Sequence, residues 1–392
     1  MINRFKYFTV LTLMGFFALT SCSNDDWEPL NPPQGNNGEE PVAFEYTWAA
    51  TADSLQESLQ NNYLGFNGTY VQDNAGSSRF NYWPNAHVLH VLVDAYHRTG
   101  EDIYKQRALS LLRGIEIENG GDYNNVFNDD MLWLGNASMR AYNATNEEEY
   151  KEVAEYLWEI IKMSWSDDVF GGGITWKQDT PFQKNAVSNG PAAVLAMRLY
   201  EVDNDQDDLE WAKKIYEWQK NNLVDPQTGL VWDNISLQDG EVVTNTDWVF
   251  TYNVGTWIGA GLKLYNATGE TQYLNDAVKT AKSTMNSPRL TTNGVLRDEG
   301  QGDGGLFKGI LVRYFTQLIM EPDISESDRQ DFIDFLEYNA KTFYDNGLSR
   351  PGMFASPNWA QAPGNTTDLT TQLSGMMLIE AAALLKEEGY IE

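Results

Sequence analysis

The chain has 392 residues, with 27 Lys and Arg against 56 Asp and Glu, a formal net charge of −29 at pH 7. That length accommodates one large domain or two small ones. The hydrophobic share of 42% with 13% aromatics builds a core and excludes a disordered chain, the charge repels phosphate backbones and excludes a nucleic-acid partner, and a single Cys excludes a disulfide framework or a Cys-based zinc site within one chain.

Residues 1–21 open with Arg4 and Lys6, continue through an apolar run from Phe8 to Leu19, and end in Leu19-Thr20-Ser21 before Cys22. A basic start, a short apolar stretch and small residues describe a secretory signal peptide. The run is too short for a transmembrane helix. A small residue directly before the only Cys resembles the bacterial lipobox, in which the chain is cleaved before the Cys and its thiol is lipidated. The acidic Ser23-Asn24-Asp25-Asp26 that follows resembles the surface-export signal of some Gram-negative lipoproteins. Residues 22–44 then form a tether, Pro/Gly/Asn-rich from Pro29 to Glu40 and without periodicity. The expectation is an outer-membrane lipoprotein, exposed at the cell surface and held by its N-terminal lipid.

From residue 45 to 392 one all-α catalytic domain is expected. Helical periodicity and terminators place twelve helices near 47–63, 85–98, 102–118, 130–143, 147–164, 186–201, 208–222, 253–267, 271–286, 305–320, 325–344 and 369–388. A unit recurs along them. An apolar helix ends near a Tyr (Tyr96, Tyr142, Tyr200, Tyr265), a short turn follows, often with Thr-Gly-Glu, and an amphipathic helix resumes. Gly just past a helix end and an acidic residue at the next start are the expected terminators and caps. Twelve helices in six hairpins predict a closed (α/α)6 toroid of alternating inner and outer helices, rather than an open solenoid with polar capping repeats. Extra length falls in Gly/Asn/Trp-rich loops ahead of every second helix, so function is expected on that face.

The strongest chemical candidate in those loops is Asn128-Asp129-Asp130-Met131-Leu132-Trp133, directly before an inner helix. Thirteen Trp and twenty Tyr in so acidic a chain suit hydroxyl-rich ligands such as sugars. Glycosidases need two carboxyl groups, one charged and one protonated, and two neighbouring carboxylates repel, which helps keep one of them protonated. Consecutive Cα atoms lie about 3.8 Å apart, so the pair fits the short separation of a retaining enzyme, roughly 5–5.5 Å. The competing reading is structural: Asn128 or Asp129 caps the helix and Asp130 favours its positive end.

Further stretches accompany the pair in order. They are Gly171-Gly172-Gly173-Ile174-Thr175-Trp176, Lys184-Asn185-Ala186-Val187-Ser188-Asn189 running into Arg198-Leu199-Tyr200, Gly229-Leu230-Val231-Trp232-Asp233, Thr251-Tyr252-Asn253-Val254-Gly255, and Phe307-Lys308-Gly309-Ile310 with Arg313. Together with Asp-Asp-x-x-Trp they resemble glycoside hydrolase family 76, the endo-α-1,6-mannanases, over roughly residues 45–390. The resemblance implies an (α/α)6 fold, Asp129 as nucleophile and Asp130 as acid/base. It departs from the family pattern at Asn128, where an aromatic residue is usual, and at Leu134, where a second Trp is usual. Around the pair, Trp83, Trp133 and Trp176 are candidate stacking faces. Asn185, Asn189 and Asn253 offer donors and acceptors to hydroxyls. Tyr252 is placed to stabilise charge, and Asp298 and Asp303, in the Gly-rich loop 298–305, to contact sugar hydroxyls. Core packing, caps and solvated loops are the structural alternatives for these residues.

Other signals fail. His87 and His90 lack a third ligand, the Asp-rich stretch from Asp203 to Asp208 lacks the Gly and Glu of a calcium loop, and Gly171–Gly173 lacks the Lys-Ser/Thr of a phosphate loop. The sequence reading is therefore a monomeric, cofactor-free and metal-free retaining endo-α-1,6-mannanase acting on the backbone of fungal-type mannan. Its rivals are another toroid glycosidase, such as an unsaturated-uronyl hydrolase, and a non-catalytic glycan-binding surface lipoprotein.

Overall fold

The computed structural model describes residues 45–392. The signal segment 1–21, Cys22 and the tether 22–44 lie outside the described residues. From Thr47 onward the chain forms one unit. Its helices are α1 (Trp48–Tyr63), α2 (Tyr82–Thr99), α3 (Asp102–Glu118), α4 (Asn128–Thr145), α5 (Glu148–Lys162), α6 (Ala186–Asp203), α7 (Gln206–Leu223), α8 (Thr251–Thr268), α9 (Thr271–Asn286), α10 (Gly304–Met320), α11 (Glu326–Thr342) and α12 (Leu369–Glu387). Among them none is long and apolar enough to cross a membrane.

The even-numbered helices touch in a ring: α2 on α4, α4 on α6, α6 on α8, α8 on α10, α10 on α12, and α12 back on α2. The odd-numbered helices lie outside. This is the expected (α/α)6 toroid, and the pattern of side chains explains the layers. The outer α5 buries one stripe, Tyr150, Val153, Ala154, Leu157, Trp158 and Ile161, as an amphipathic helix should. The inner α6 is buried without a break from Ala186 to Leu199, because it meets neighbours on every side.

The recurrent Tyr marks where inner helices stop. Gly100, Asn146, Asn204 and Gly269 each adopt the left-handed conformation just past α2, α4, α6 and α8, with φ of 70°, 55°, 55° and 71°. Their N–H groups bond back to the carbonyls of Tyr96, Tyr142, Tyr200 and Tyr265. Only Gly, or less often Asn, takes that conformation cheaply. The turns here are short, so the chain reverses at once into an outer helix.

The connections from outer to inner helices are long, and they gather at the N-terminal ends of the inner helices. Buried amides fix several of them. Asn85 of α2 pairs with both backbone groups of Tyr70, at 2.7 and 2.9 Å. Asn189 of α6 does the same to Ile174, at 2.8 and 3.0 Å. Gln372 of α12 accepts from Ala355 N and donates to Met353 O. Each side chain stands in for a strand partner, so the loop's buried peptide groups stay satisfied. Small antiparallel strands that the periodicity does not reveal complete this end: β1 (Gln183–Asn185), β2 (Asn234–Gln238) and β3 (Glu241–Thr244) form one sheet, and β4 (Thr291–Thr292) pairs with β5 (Val295–Leu296).

The two ends of the ring differ in charge. Arg98, Arg140, Arg198, Lys263, Arg313 and Lys386 lie toward the C-terminal ends of the inner helices, where the helix dipoles are negative. Asp94 bridges Arg140 and Arg313, at 2.6 and 3.0 Å, and Glu380 pairs with Arg98 at 2.8 Å. A cavity of about 380 Å³ opens among these ion-paired helix ends. Catalytic candidates gather at the other end.

Candidate active site

Helix α4 begins two residues earlier than its periodicity predicts, at Asn128, and this bears on the capping reading of the Asp pair. The N-cap is Phe127, which makes no side-chain cap bond. Asn128 is fully buried. Its Nδ2 donates to the Thr175 carbonyl at 2.8 Å and its Oδ1 accepts from Ser164 Oγ at 3.2 Å, while its N–H donates to the Trp176 carbonyl. Neither Asn128 nor Asp129 caps the helix. Asp129 and Asp130 instead stand, half-buried, in the first helical turn.

Their surroundings pull the two apart. Burial pushes Asp129 up to about 7, but the backbone N–H groups of the first turn and the indole of Trp176 favour its charged form. Trp176 Nε1 lies 3.3 Å from Asp129 Oδ2. Asp130 receives no comparable hydrogen bond from the described residues. Burial, then the charges of Asp129 and Asp303, hold its carboxyl well above the usual carboxylate range. The two carboxyls thus sit in different environments, with donors on the Asp129 oxygens and acidic neighbours against Asp130, the kind of split that gives two carboxyls different roles in glycosidases.

Asp303, at the N-cap of α10, is the third carboxylate here and accepts from Trp83 Nε1 at 3.1 Å. Trp83 is half-buried in the first turn of α2. Tyr252, at the start of α8, stacks on Phe307 with ring centroids 3.9 Å apart and donates to Asp233 Oδ1 at 3.2 Å. Asn185 donates to Asp233 Oδ2 at 3.3 Å. Asp129, Asp130, Trp83, Trp176, Tyr252 and Asp303 are linked by these contacts and by the charge that Asp129 exerts on Tyr252.

Four expected contacts serve the scaffold. Trp133 is 2% exposed and packs on His87 at 4.8 Å, so it lies beneath the pair instead of presenting a stacking face. Asn189 spends both ends of its amide on Ile174 and is fully buried. Asn253 is fully buried and donates to Asp233 at 3.0 Å. Asp298 is exposed and accepts from Gly300 N at 2.7 Å, closing a turn in its own loop. His87 and His90 stack in the core, where burial lowers both imidazoles and keeps them neutral.

The sequence reading left two site groups without a role. Asp233 is 5% exposed and collects four amide and hydroxyl donors, from Asn185, Asn234, Tyr252 and Asn253. The signal for it was present in Trp232-Asp233. Glu299 accepts from the Thr251 backbone and hydroxyl, closing the start of α8 from another loop. Burial pushes it up to about 7 and Lys308 opposes that shift. Nothing in the local sequence marks Glu299, because its partner is 48 residues away.

A toroid of this kind carrying a consecutive carboxylate pair at an inner helix start defines a class of glycan-cleaving enzymes. The family model described as "Glycosyl hydrolase family 76" matches residues 47–391, and the chain belongs to that family. The GH76A α-1,6-mannanase of Salegentibacter sp. HEL1_6 is 58% identical, with a TM-score of 0.85, over 86% of this chain and 99% of that one. Inactive variants of that enzyme with two consecutive aspartates replaced, by Asn or by Ala, have been solved with α-1,6-mannotriose and α-1,6-mannotetrose. The Lin0763 protein of Listeria innocua is 35% identical, with a TM-score of 0.80, over 88% of this chain and all of that one. The mannan endo-1,6-alpha-mannosidase DCW1 of Saccharomyces cerevisiae is 28% identical over 215 residues, 49% of this chain and 46% of its own length. The chain thus spans about half the length of that yeast relative.

The raised carboxyls have a stability consequence. A group that holds its proton more tightly when folded stabilises the fold below its unfolded pKa, and that contribution is lost as pH rises through the folded pKa. For Asp129 the window runs from about 4 to about 7. Asp129→Asn should stabilise the protein by about 1–3 kcal/mol at pH 7 and by nothing below about pH 4, and Asp130→Asn should shift stability in the same direction. Thermal melts at the two pH values check this.

Proposed function

We propose that the protein is a retaining endo-α-1,6-mannanase that cleaves the α-1,6-linked mannose backbone of fungal-type mannan. The observation that carries this reading is the split environment of Asp129 and Asp130 on one helical turn. Asp129 attacks the anomeric carbon while Asp130 protonates the departing oxygen. A glycosyl ester on Asp129 results, and Asp130 then deprotonates the water that releases the sugar. Trp176 and the first-turn N–H groups keep Asp129 a carboxylate until it attacks. Two carboxyls and a water complete the chemistry, so no metal or organic cofactor is called on, and every group named comes from a single chain, which suits a monomer.

Substrate contacts are assigned to the groups that face the pair. Trp83 and Trp176 present half-buried rings, Asp303 and Tyr252 supply polar atoms to hydroxyls, and Asn185 helps to hold Asp233 beneath Tyr252. Mannan is favoured over a uronide by charge: Asp303 adds a third carboxylate beside Asp129 and Asp130, Glu299 acts on Tyr252, and Lys308 already donates to Pro357 O and faces Glu299. The 58% identity to an α-1,6-mannanase supports the same choice. A purely glycan-binding role would not require the Asp pair to be held at this energetic cost.

We also propose that the chain is exported, lipidated at Cys22 and displayed on the outer membrane of a Gram-negative bacterium, on the strength of Leu19-Thr20-Ser21-Cys22 and the acidic residues after it. Cys22→Ala should release the protein from the membrane fraction, because multiple acyl chains are what make such anchoring stable. A processed mutant that still sediments with membranes overturns the lipid anchor.

For the catalytic assignment, Asp129→Asn and Asp130→Asn should each lower turnover of debranched α-1,6-mannan by at least about 10³-fold, a loss in the range expected for groups acting in the transition state. Manno-oligosaccharide binding should persist in both. Normal activity in either variant contradicts the assignment.

A further inference from the structure

Trp248 is 54% exposed, an unusual state for the largest apolar side chain in a loop that is otherwise fastened. Its N–H donates to Asn245 O at 3.3 Å and its carbonyl accepts from Asp233 N at 2.9 Å. The next residue, Val249, is buried, and Glu299 closes the start of α8 just beyond. The indole is therefore presented to solvent from a fixed backbone.

From Trp248 a run of rings leads inward. Its centroid lies 6.5 Å from Phe250, Phe250 lies 5.5 Å from Phe307, and Phe307 lies 6.4 Å from Trp83. Trp83 is bonded to Asp303 beside the catalytic pair. The two middle rings are half-buried, so the run is continuous with the site and opens outward. A polar row begins beside it: Asn245 Nδ2 donates to Asn234 Oδ1 at 2.7 Å, and Asn234 Nδ2 to Asp233 Oδ2 at 2.8 Å. An aromatic face next to amides suits a hexose, which has an apolar C–H face and a hydroxyl edge.

We infer that Trp248 forms a remote subsite that stacks a mannosyl unit of the backbone several rings away from the bond being cleaved. This rests on the mannanase reading and deepens it. The subsite rewards a long substrate and lets the enzyme grip the polymer's interior. Energy gained there positions the chain without touching the reacting atoms.

The test uses the full chain with Asp130→Asn, so that substrate is bound and not consumed. Titration calorimetry measures affinity for α-1,6-manno-oligosaccharides of three units and upward. With Trp248 present, affinity should rise again once the chain is long enough to reach it. Trp248→Ala should remove that rise, weakening the longest oligosaccharide about 5–10-fold, the scale of one aromatic contact, and leave mannotriose unchanged. Trp248→Phe should restore part of the rise. The exposed position means that neither substitution disturbs the core, which equal melting temperatures verify. Equal losses at every length, or no loss at the longest, overturn the subsite and leave the function standing. If the Asp130→Asn parent binds no α-1,6-manno-oligosaccharide of any length, the mannanase reading falls and the subsite with it.

Discussion

The site depends on how two buried amides hold one loop. Residues 163–185 connect α5 to α6 and would be free to move if nothing tied them down. Asn128 grips the loop at Thr175, and Asn189 grips it one residue earlier at Ile174. Between those anchors and β1 the chain places Trp176 with its indole N–H toward Asp129. Each amide–peptide bond contributes only about 1 kcal/mol net, but breaking one strands a buried polar group at about 1–3 kcal/mol. The loop is held because the alternatives cost more, and Asp129, the proposed nucleophile, inherits that rigidity.

A second consequence is electrostatic. The inner helices all direct their N-terminal ends toward the site, so the helix dipoles favour anions there. Burial works the other way and raises the carboxyls. Asp129, with first-turn N–H groups and Trp176 on its oxygens, sits near the balance point at about 7, whereas Asp130 is left to burial and to its acidic neighbours. One backbone feature, a helix that starts at Asn128 without a side-chain cap, thus gives the proposed nucleophile and acid/base different surroundings. Stability is given up for this, as is usual where function breaks a local rule. At the opposite end, arginines and lysines meet the helix C-termini.

Much of this was legible in the sequence, and the reasons are physical. The toroid follows from helix terminators: the Tyr landmarks with Gly or Asn four residues on specify left-handed caps, which need no tertiary information. The starts of α2 and α4 were harder to read. Pro84 suggests a later beginning for α2, yet Pro is tolerated in a first turn because its missing N–H has no partner there. The Asp pair was found as a motif, and its departure from the family pattern at Asn128 proves to be the loop clamp. What sequence alone did not separate was amide from amide. Asn185, Asn189 and Asn253 look alike on the page, but Asn189 clamps Ile174 while Asn185 and Asn253 both donate to the buried Asp233. The rings at Trp248, Phe250 and Phe307 were likewise invisible as a group, since they meet only when α8 and α10 pack side by side.

The central claim is that consecutive carboxyls on one turn of α4 act by double displacement. Neighbouring positions leave little room between the two for a water behind the sugar, so on this account the sugar passes through an ester on Asp129, and two inversions give net retention. Proton NMR during the first turnovers on debranched α-1,6-mannan should show the α-anomer of the new reducing end first, with the β-anomer growing only by mutarotation. A β-anomer formed first means inversion, and it would require a base distant from Asp130 and remove Asp129 from the role of nucleophile.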